Sequence, residues 1–306
     1  MSGRVLILLA AVLWSTSGFF AKSPIFDNLG DSKVVVLGFW RSVFAALLVM
    51  FLIRRWRWDW RLLAMGASFA AMTWTFMSAL VITEASLAIW LQYLAPAWVV
   101  VLSWLLFREA PDRSNRWMLL FAIVGVCVIL SGQFLKLEKA AFSWWGIEAG
   151  LLSGVFFAGV IVMLRRLRDF DAMQLVFVNQ VVTGLALLPA VVQHGQLPSS
   201  VQWVYLIGFG LLQFGTPYIL FSYGVRQVSS HEASGLGLLE PLLVPLWVFL
   251  AWRKHPEYEP PSGWTLVGGA LILVGLGLQI FLRRLPPPPA LDPAADRDTP
   301  DGSLLK

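Results

Sequence analysis

Ten stretches of this sequence run for about 20 residues each with an almost unbroken apolar composition, the length of helix that crosses the hydrocarbon core of a bilayer. Read between charged or Pro/Gly breaks, they cover residues 4–22, 33–53, 62–82, 85–107, 115–133, 143–164, 172–193, 202–224, 230–252 and 263–282. Apolar residues make up 58% of the chain and charged residues 13%, more apolar surface than a water-soluble domain can hide. The expected fold is an all-α integral membrane protein of ten transmembrane helices, with the lipid bilayer as its solvent. The first stretch opens on Arg4 like a secretory signal, but Trp14, Phe19 and Phe20 follow without a small-residue cleavage site, so it is kept as a helix.

A formal charge of +5 does not point to nucleic acid, because the basic residues sit in short clusters between apolar runs and build no basic helix face. With the N-terminus in the cytoplasm, the inner loops hold Arg54, Arg55, Arg57, Arg61, Arg108, Arg113, Arg116, Arg165, Arg166 and Arg168. The outer loops hold only Lys22, Lys33, Lys136, Lys139, Arg253 and Lys254. That excess predicts a cell-membrane protein with both termini cytoplasmic. Trp56, Trp58, Trp60, Trp117, Trp144, Trp145 and Trp264 fall at span ends, as an interfacial aromatic belt requires. Residues 285–306, with Pro286 to Pro289 followed by Asp292, Asp296, Asp298 and Asp301, read as a disordered cytoplasmic tail.

Residues 58–111 align on residues 203–256 without a gap, matching Trp58 with Trp203, Phe76 with Phe221, Ala88 with Ala233, Pro96 with Pro241, Arg108 with Arg253 and Pro111 with Pro256. The shared helix pattern, midspan prolines and Arg-x-x-Pro loops point to duplication. The halves divide at 1–138 and 139–284. Five spans is an odd number, so the second half enters the membrane from the other side. Inverted repeats enclosing a shared site are the usual basis of alternating access in secondary transporters.

Arg41 lies near the middle of the second stretch and Glu240 near the middle of the ninth. A charge in hydrocarbon costs several kcal/mol, so both are expected to face a cavity or each other. Two readings follow: Arg41 contacts an anionic group of a small-molecule solute while Glu240 holds a cationic group or a proton, or both belong to a structural hydrogen-bond network. Proton coupling would use Glu240, whereas uniport needs no coupling residue. Pro96 and Pro241 occupy matching places, and each removes a helical hydrogen bond, so a helix discontinuity is expected at both. Trp90 and Tyr93 share a helical stripe with Ser86 and Ala97, and Gln92 lies beside it. With Trp14, Ser17, Trp74, Ser78, Asn179 and Gln180 they are candidates to line a solute cavity, the amides more strongly because an amide inside a span needs partners. Gly146, Gly150, Gly154 and Ala158 recur every fourth residue, as on a close-packed seam, and Gly269 and Gly275 are assigned to packing as well.

The chain has one cysteine, Cys127, and its histidines, His194, His231 and His255, fall at span ends or in loops. No His-Glu-x-x-His, phosphate-binding glycine loop or pair of intramembrane aspartates is present, so neither cofactor nor metal is expected and an intramembrane enzyme is disfavoured. No span carries a channel's filter or charge ring. Nothing in the sequence specifies an oligomeric state.

The run from Ala85 through Trp90 and Tyr93 to Pro96, closing with Phe107, Arg108 and Glu109, resembles the EamA repeat of the drug/metabolite transporter superfamily. The run Glu232 to Pro241 is similar to that family's C-terminal repeat, and Phe39-Trp40-Arg41 to the aromatic-Arg pattern of its second helix. The resemblance implies ten helices in two inverted five-helix repeats around a central cavity, and export of amino acids or related metabolites. Other branches exchange phosphorylated or nucleotide-linked sugars, which Arg41 as the single midspan cation disfavours. The family's Gly-Glu after the ninth helix is replaced here by Trp252-Arg253-Lys254.

Overall fold

The structure is a computed structural model describing residues 2–108, 110–135, 143–256 and 258–282. The tail at 285–306, the boundary between the halves, Glu109, and the loop and terminal charges Lys136, Lys139, Arg283 and Arg284 lie outside the described residues. Ten helical segments are long and apolar enough to cross a membrane: span 1 (Gly3–Ala21), span 2 (Pro24–Met50), span 3 (Trp60–Ile82), span 4 (Ala85–Leu105), span 5 (Arg113–Phe134), span 6 (Trp144–Arg166), span 7 (Ala172–His194), span 8 (Ser200–Gly224), span 9 (Glu232–Trp252) and span 10 (Gly263–Leu282).

Their starts are set by short polar side chains that accept the first free backbone N–H groups. Asp59 accepts from Arg61, Asp112 from Asn115, Asp171 from Met173 and Ser143 from Gly146, and Ser199 with Gln202 forms a capping box. The distribution of polarity is that of a membrane protein. Thr73, Ser153, Gln174, Gln180 and Thr183 are buried, while Leu47, Ile123, Leu185, Val204 and Val267 are exposed on the outside of the bundle, where lipid is the solvent.

Span 5 packs along span 10, span 3 along spans 6 and 7, span 2 along spans 7 and 8, span 1 along spans 8 and 9, and span 4 against spans 6 and 9. Glycines allow the closest approaches. A Cβ on Gly125 would stand 2.6 Å from the Gly268 carbonyl, and one on Gly268 would stand 2.5 Å from the Gly125 carbonyl. The contact is reciprocal along its length: Gly125 meets Ile272 as Gly268 meets Ile129, and Gly132 meets Trp264 as Gly275 meets Phe121. On span 6, Gly146 packs on Thr83, and Gly150 and Gly154 pack on Leu91, so this face is a helix seam.

Spans 4 and 9 are each two helices. Span 4 is Ala85–Gln92 followed by Ala95–Phe107, and span 9 is Ser230–Gly237 followed by Leu239–Trp252. The breaks fall just ahead of Pro96 and Pro241, positions paired by the alignment of residues 58–111 on 203–256. Span 1 is interrupted at Thr16, and span 8 contains a π-helical stretch, Phe209–Gly215, which the apolar pattern does not announce.

Candidate functional site

The two broken spans are tied together by the groups that their prolines leave unpaired. Pro241 has no N–H to offer the carbonyl four residues back, which is Gly237, and Pro245 has none for the carbonyl of Pro241. Span 4 supplies both missing donors. The Tyr93 hydroxyl lies 3.1 Å from the Gly237 oxygen, and Trp90 Nε1–H donates to the Pro241 oxygen at 3.2 Å. The same hydroxyl lies 2.8 Å from Oε2 of the half-buried Glu240, so its single proton is divided between the carboxylate and the helix break. The Trp90 ring rests on Gly269 of span 10, which leaves room for it by having no side chain.

Arg41 is buried on span 2 and held by aromatic faces. Its guanidinium carbon lies 3.9 Å from the Phe214 ring centroid and 5.2 Å from that of Phe209. Residues five apart diverge by about 140° on an α-helix, but the wider winding of Phe209–Gly215 brings both rings onto the side that meets Arg41. Gly210 permits the approach, since a Cβ there would stand 2.4 Å from Phe44 Cβ and 2.9 Å from the Arg41 carbonyl. Cation–π contact compensates part of the guanidinium's lost hydration. Arg41 Nε has no hydrogen-bond partner among the described residues.

Tyr218 lies within electrostatic range of both Arg41 and Glu240. Its ring packs 5.6 Å from Phe214 and 5.2 Å edge-on from Trp14. Trp14 is half-buried, and its carbonyl accepts from Gln213 Nε2 at 3.0 Å. Ser15, next to it, accepts from Trp247 Nε1 at 2.8 Å. The result is a group of aromatic side chains from spans 1, 2, 4, 8 and 9, here termed the aromatic chamber, with Arg41 on one side and Glu240 on another.

The other expected residues are distributed as follows. Ser17 is buried, its hydroxyl without a hydrogen-bond partner among the described residues, one residue before Gly18, where spans 1, 4 and 9 meet. Gln92 is buried at the span 4 break. Asn179 and Gln180 are buried on span 7, with Asn179 Oδ1 and both polar atoms of Gln180 unpartnered among the described residues. Ser78 is buried and donates back to the Trp74 carbonyl, whereas Trp74 is 45% exposed and tilts against Trp145 of span 6, apart from the aromatic chamber. Phe209, Gln213, Phe214, Tyr218 and Trp247 were missed from sequence. The midspan amide of Gln213 was the available signal, as it was for Gln180.

Ten apolar helices, two of them broken at midspan, with a buried cation on span 2 and a half-buried carboxylate on span 9, are the architecture of a polytopic membrane protein of the solute-transporter class. The chain belongs to the EamA-like transporter family, which it matches over residues 1–131 and again over 144–281. An uncharacterized transporter of Archaeoglobus fulgidus is 31% identical over 277 residues, spanning 90% of this chain and 94% of that protein. The pseudopaline exporter CntI of Pseudomonas aeruginosa is 25% identical over 288 residues, 89% of this chain and 94% of its own length. The biotin transporter of Salmonella typhimurium is 25% identical over 183 residues, 56% of this chain and 58% of its own. A solved crystal structure superposes with a TM-score of 0.62 at 17% identity, over 92% of this chain and 97% of the other, a likeness of fold. The protein is a membrane transporter of small molecules, and the family and its named relatives are not enzymes.

Proposed function

We propose that this protein exports amino acids or related small metabolites across the cell membrane by alternating access between two inverted five-helix halves, residues 1–138 and 139–284, with both termini in the cytoplasm. The observation that carries the reading is the group of aromatic side chains with Arg41 on one side and Glu240 on another, Tyr218 lying within electrostatic range of both. A zwitterion satisfies such a site as a singly charged solute does not, its carboxylate meeting the guanidinium fork and its ammonium the carboxylate. Trp14, Tyr93 and Trp90 supply the apolar and hydrogen-bonding walls. The likeness to the pseudopaline exporter CntI favours outward movement of a metabolite.

Inversion is supported by the packing. Exchanging each span with the one five later turns the 3 and 6 contact into 8 and 1, the 3 and 7 contact into 8 and 2, and the 4 and 6 contact into 9 and 1, all of which are present. Spans 2 and 7, 4 and 9, and 5 and 10 pair with their own counterparts. Phe69 and Phe214, which occupy matching positions, stack with centroids 5.9 Å apart. Reciprocal contacts of this kind are what a two-fold relation produces.

The test is flux in liposomes containing the purified full-length protein, loaded with a panel of labelled amino acids. Efflux of zwitterionic members that Glu240→Gln abolishes while the protein still folds is the expected result. Absence of flux for the whole panel, or undiminished flux in Glu240→Gln, overturns the assignment.

A further inference from the structure

On the face opposite the N-terminus, where the turns joining spans 1 and 2, 3 and 4, and 9 and 10 meet, lies a cavity of about 280 Å³. Val248 and Trp252 of span 9 and Ala85 of span 4 form its apolar wall, and Lys22, Glu84 and Glu259 are among its charged lining groups. Its floor is a tight junction of the spans that carry the aromatic chamber. A Cβ on Gly18 would stand 2.7 Å from Val248 Cγ2, 3.1 Å from Val244 Cγ1 and 3.4 Å from Ala85 Cβ. Trp252 Nε1 fastens the same junction by donating to the Phe19 carbonyl at 2.9 Å. Val248 and Glu240 are about 12 Å apart along one helix axis, so the cavity stands beyond the chamber, with the Gly18 junction between them.

Several of the charged groups lining this cavity have partners. Lys33 is paired with Asp27 at 2.8 Å, and His255 Nε2 lies 3.9 Å from the other oxygen of Asp27. Glu84 accepts from the Ser262 N–H at 3.3 Å. Lys22 donates to the Val81 carbonyl at 2.9 Å, which uses one of the three donors of an ammonium.

We infer that this cavity is a second solute site on the exit path, which receives a zwitterionic amino acid with its carboxylate on Lys22 and its ammonium facing Glu84 and Glu259. The inference rests on the reading of the chain as an amino-acid exporter. A cavity of this volume suits a metabolite of amino-acid size, just below the usual range for drug-sized ligands, and Val248 and Trp252 give its side chain an apolar wall. The solute held there has left the Arg41 chamber and lies above the closed junction.

The site also has a pH signature. Burial pushes the Lys22 ammonium down to about 8, Lys33 acts in the same direction, and Glu259, Glu84 and Asp27 oppose them. Burial, then Glu84, pushes the Tyr258 phenol up, so it lines the cavity as a neutral hydroxyl. Carboxylate binding needs the ammonium form, so it is fully present well below pH 8 and is lost as the pH rises through that value.

Equilibrium binding of tritiated L-leucine, L-phenylalanine and L-glutamine to the full-length protein in detergent tests this. Two components are expected for at least one of these probes at pH 7, one of which disappears by about pH 9. Lys22→Gln, and separately Glu259→Gln on the exposed loop, should weaken that component about tenfold, the loss of one charge-assisted contact. Arg41→Gln should weaken the other about tenfold or more. Lys22→Arg should keep the component and extend it above pH 9, an outcome that a purely structural lysine does not produce. A single component, weakened by Arg41→Gln and indifferent to Lys22→Gln and Glu259→Gln, overturns the second site and leaves the export reading standing. No binding of any of the three probes overturns both.

Discussion

Replacing Gly269 with alanine tests whether span 10 holds Trp90 in place. The new Cβ would stand 2.0 Å from Trp90 Cε3 and 2.1 Å from Cδ2, whereas carbons in contact sit at about 3.5–4.0 Å. The indole must therefore withdraw by roughly 1.5 Å. Its Nε1 already donates to the Pro241 oxygen at 3.2 Å, and a shift of that size carries the bond out of range. Overpacking costs about 1–3 kcal/mol, and the orphaned buried carbonyl costs about 1–3 kcal/mol more. Alanine regains only about 0.5–1 kcal/mol of helix propensity, so the net effect is destabilising. Thermal unfolding in detergent, followed by tryptophan fluorescence, should show a midpoint lowered by about 4 °C or more. Combining Gly269→Ala with Trp90→Leu should recover part of the loss, because the clash partner is gone. An unchanged or raised midpoint in Gly269→Ala alone would refute the reasoning, since helix propensity would then outweigh a wedge that is not there.

Three further outcomes follow from the same contacts. Trp90→Phe should cost about 1 kcal/mol or more of stability in the native background and measurably less in a Pro245→Ala background, where residue 245 can donate to the Pro241 carbonyl itself; equal costs in the two would show that the indole bond is not the substitute donor. Tyr93→Phe removes the donor shared by Glu240 and Gly237, and should reduce flux in liposomes and lower stability by about 1–3 kcal/mol, a prediction that unaltered flux and melting would sink. Arg41→Gln loses both ring contacts, about 1–3 kcal/mol together, and should raise the half-saturating solute concentration about tenfold or more; Arg41→Lys keeps the charge without the planar fork and should fall between, so Lys transporting like the native residue would exclude bidentate recognition.

The spans were legible because apolar runs of membrane length carry their own boundaries, and the breaks in spans 4 and 9 were legible because Pro96 and Pro241 stand at matching positions. The role of Tyr93 was only half visible. Its stripe with Trp90 could be read, but that these two residues serve the carbonyls of Gly237 and Pro241 depends on the facing of two distant spans. Arg41 was recognised as a buried cation, while its cradle was hidden. A regular α-helix would have turned Phe209 and Phe214 apart, and the local rewinding that unites them leaves no mark in hydropathy. Lys22 drew no attention because a lysine at a span end is ordinary until the loops that fold over it are known.

The mutual embrace of Gly125 and Gly268 has a consequence for motion. In the proposed alternating-access cycle, a contact that is its own image under exchange of the halves looks the same before and after those halves trade shapes, so spans 5 and 10 would form an axle that need not be dismantled. In that reading the work of opening falls on other junctions, such as the one where Gly18 packs on Val248, Val244 and Ala85.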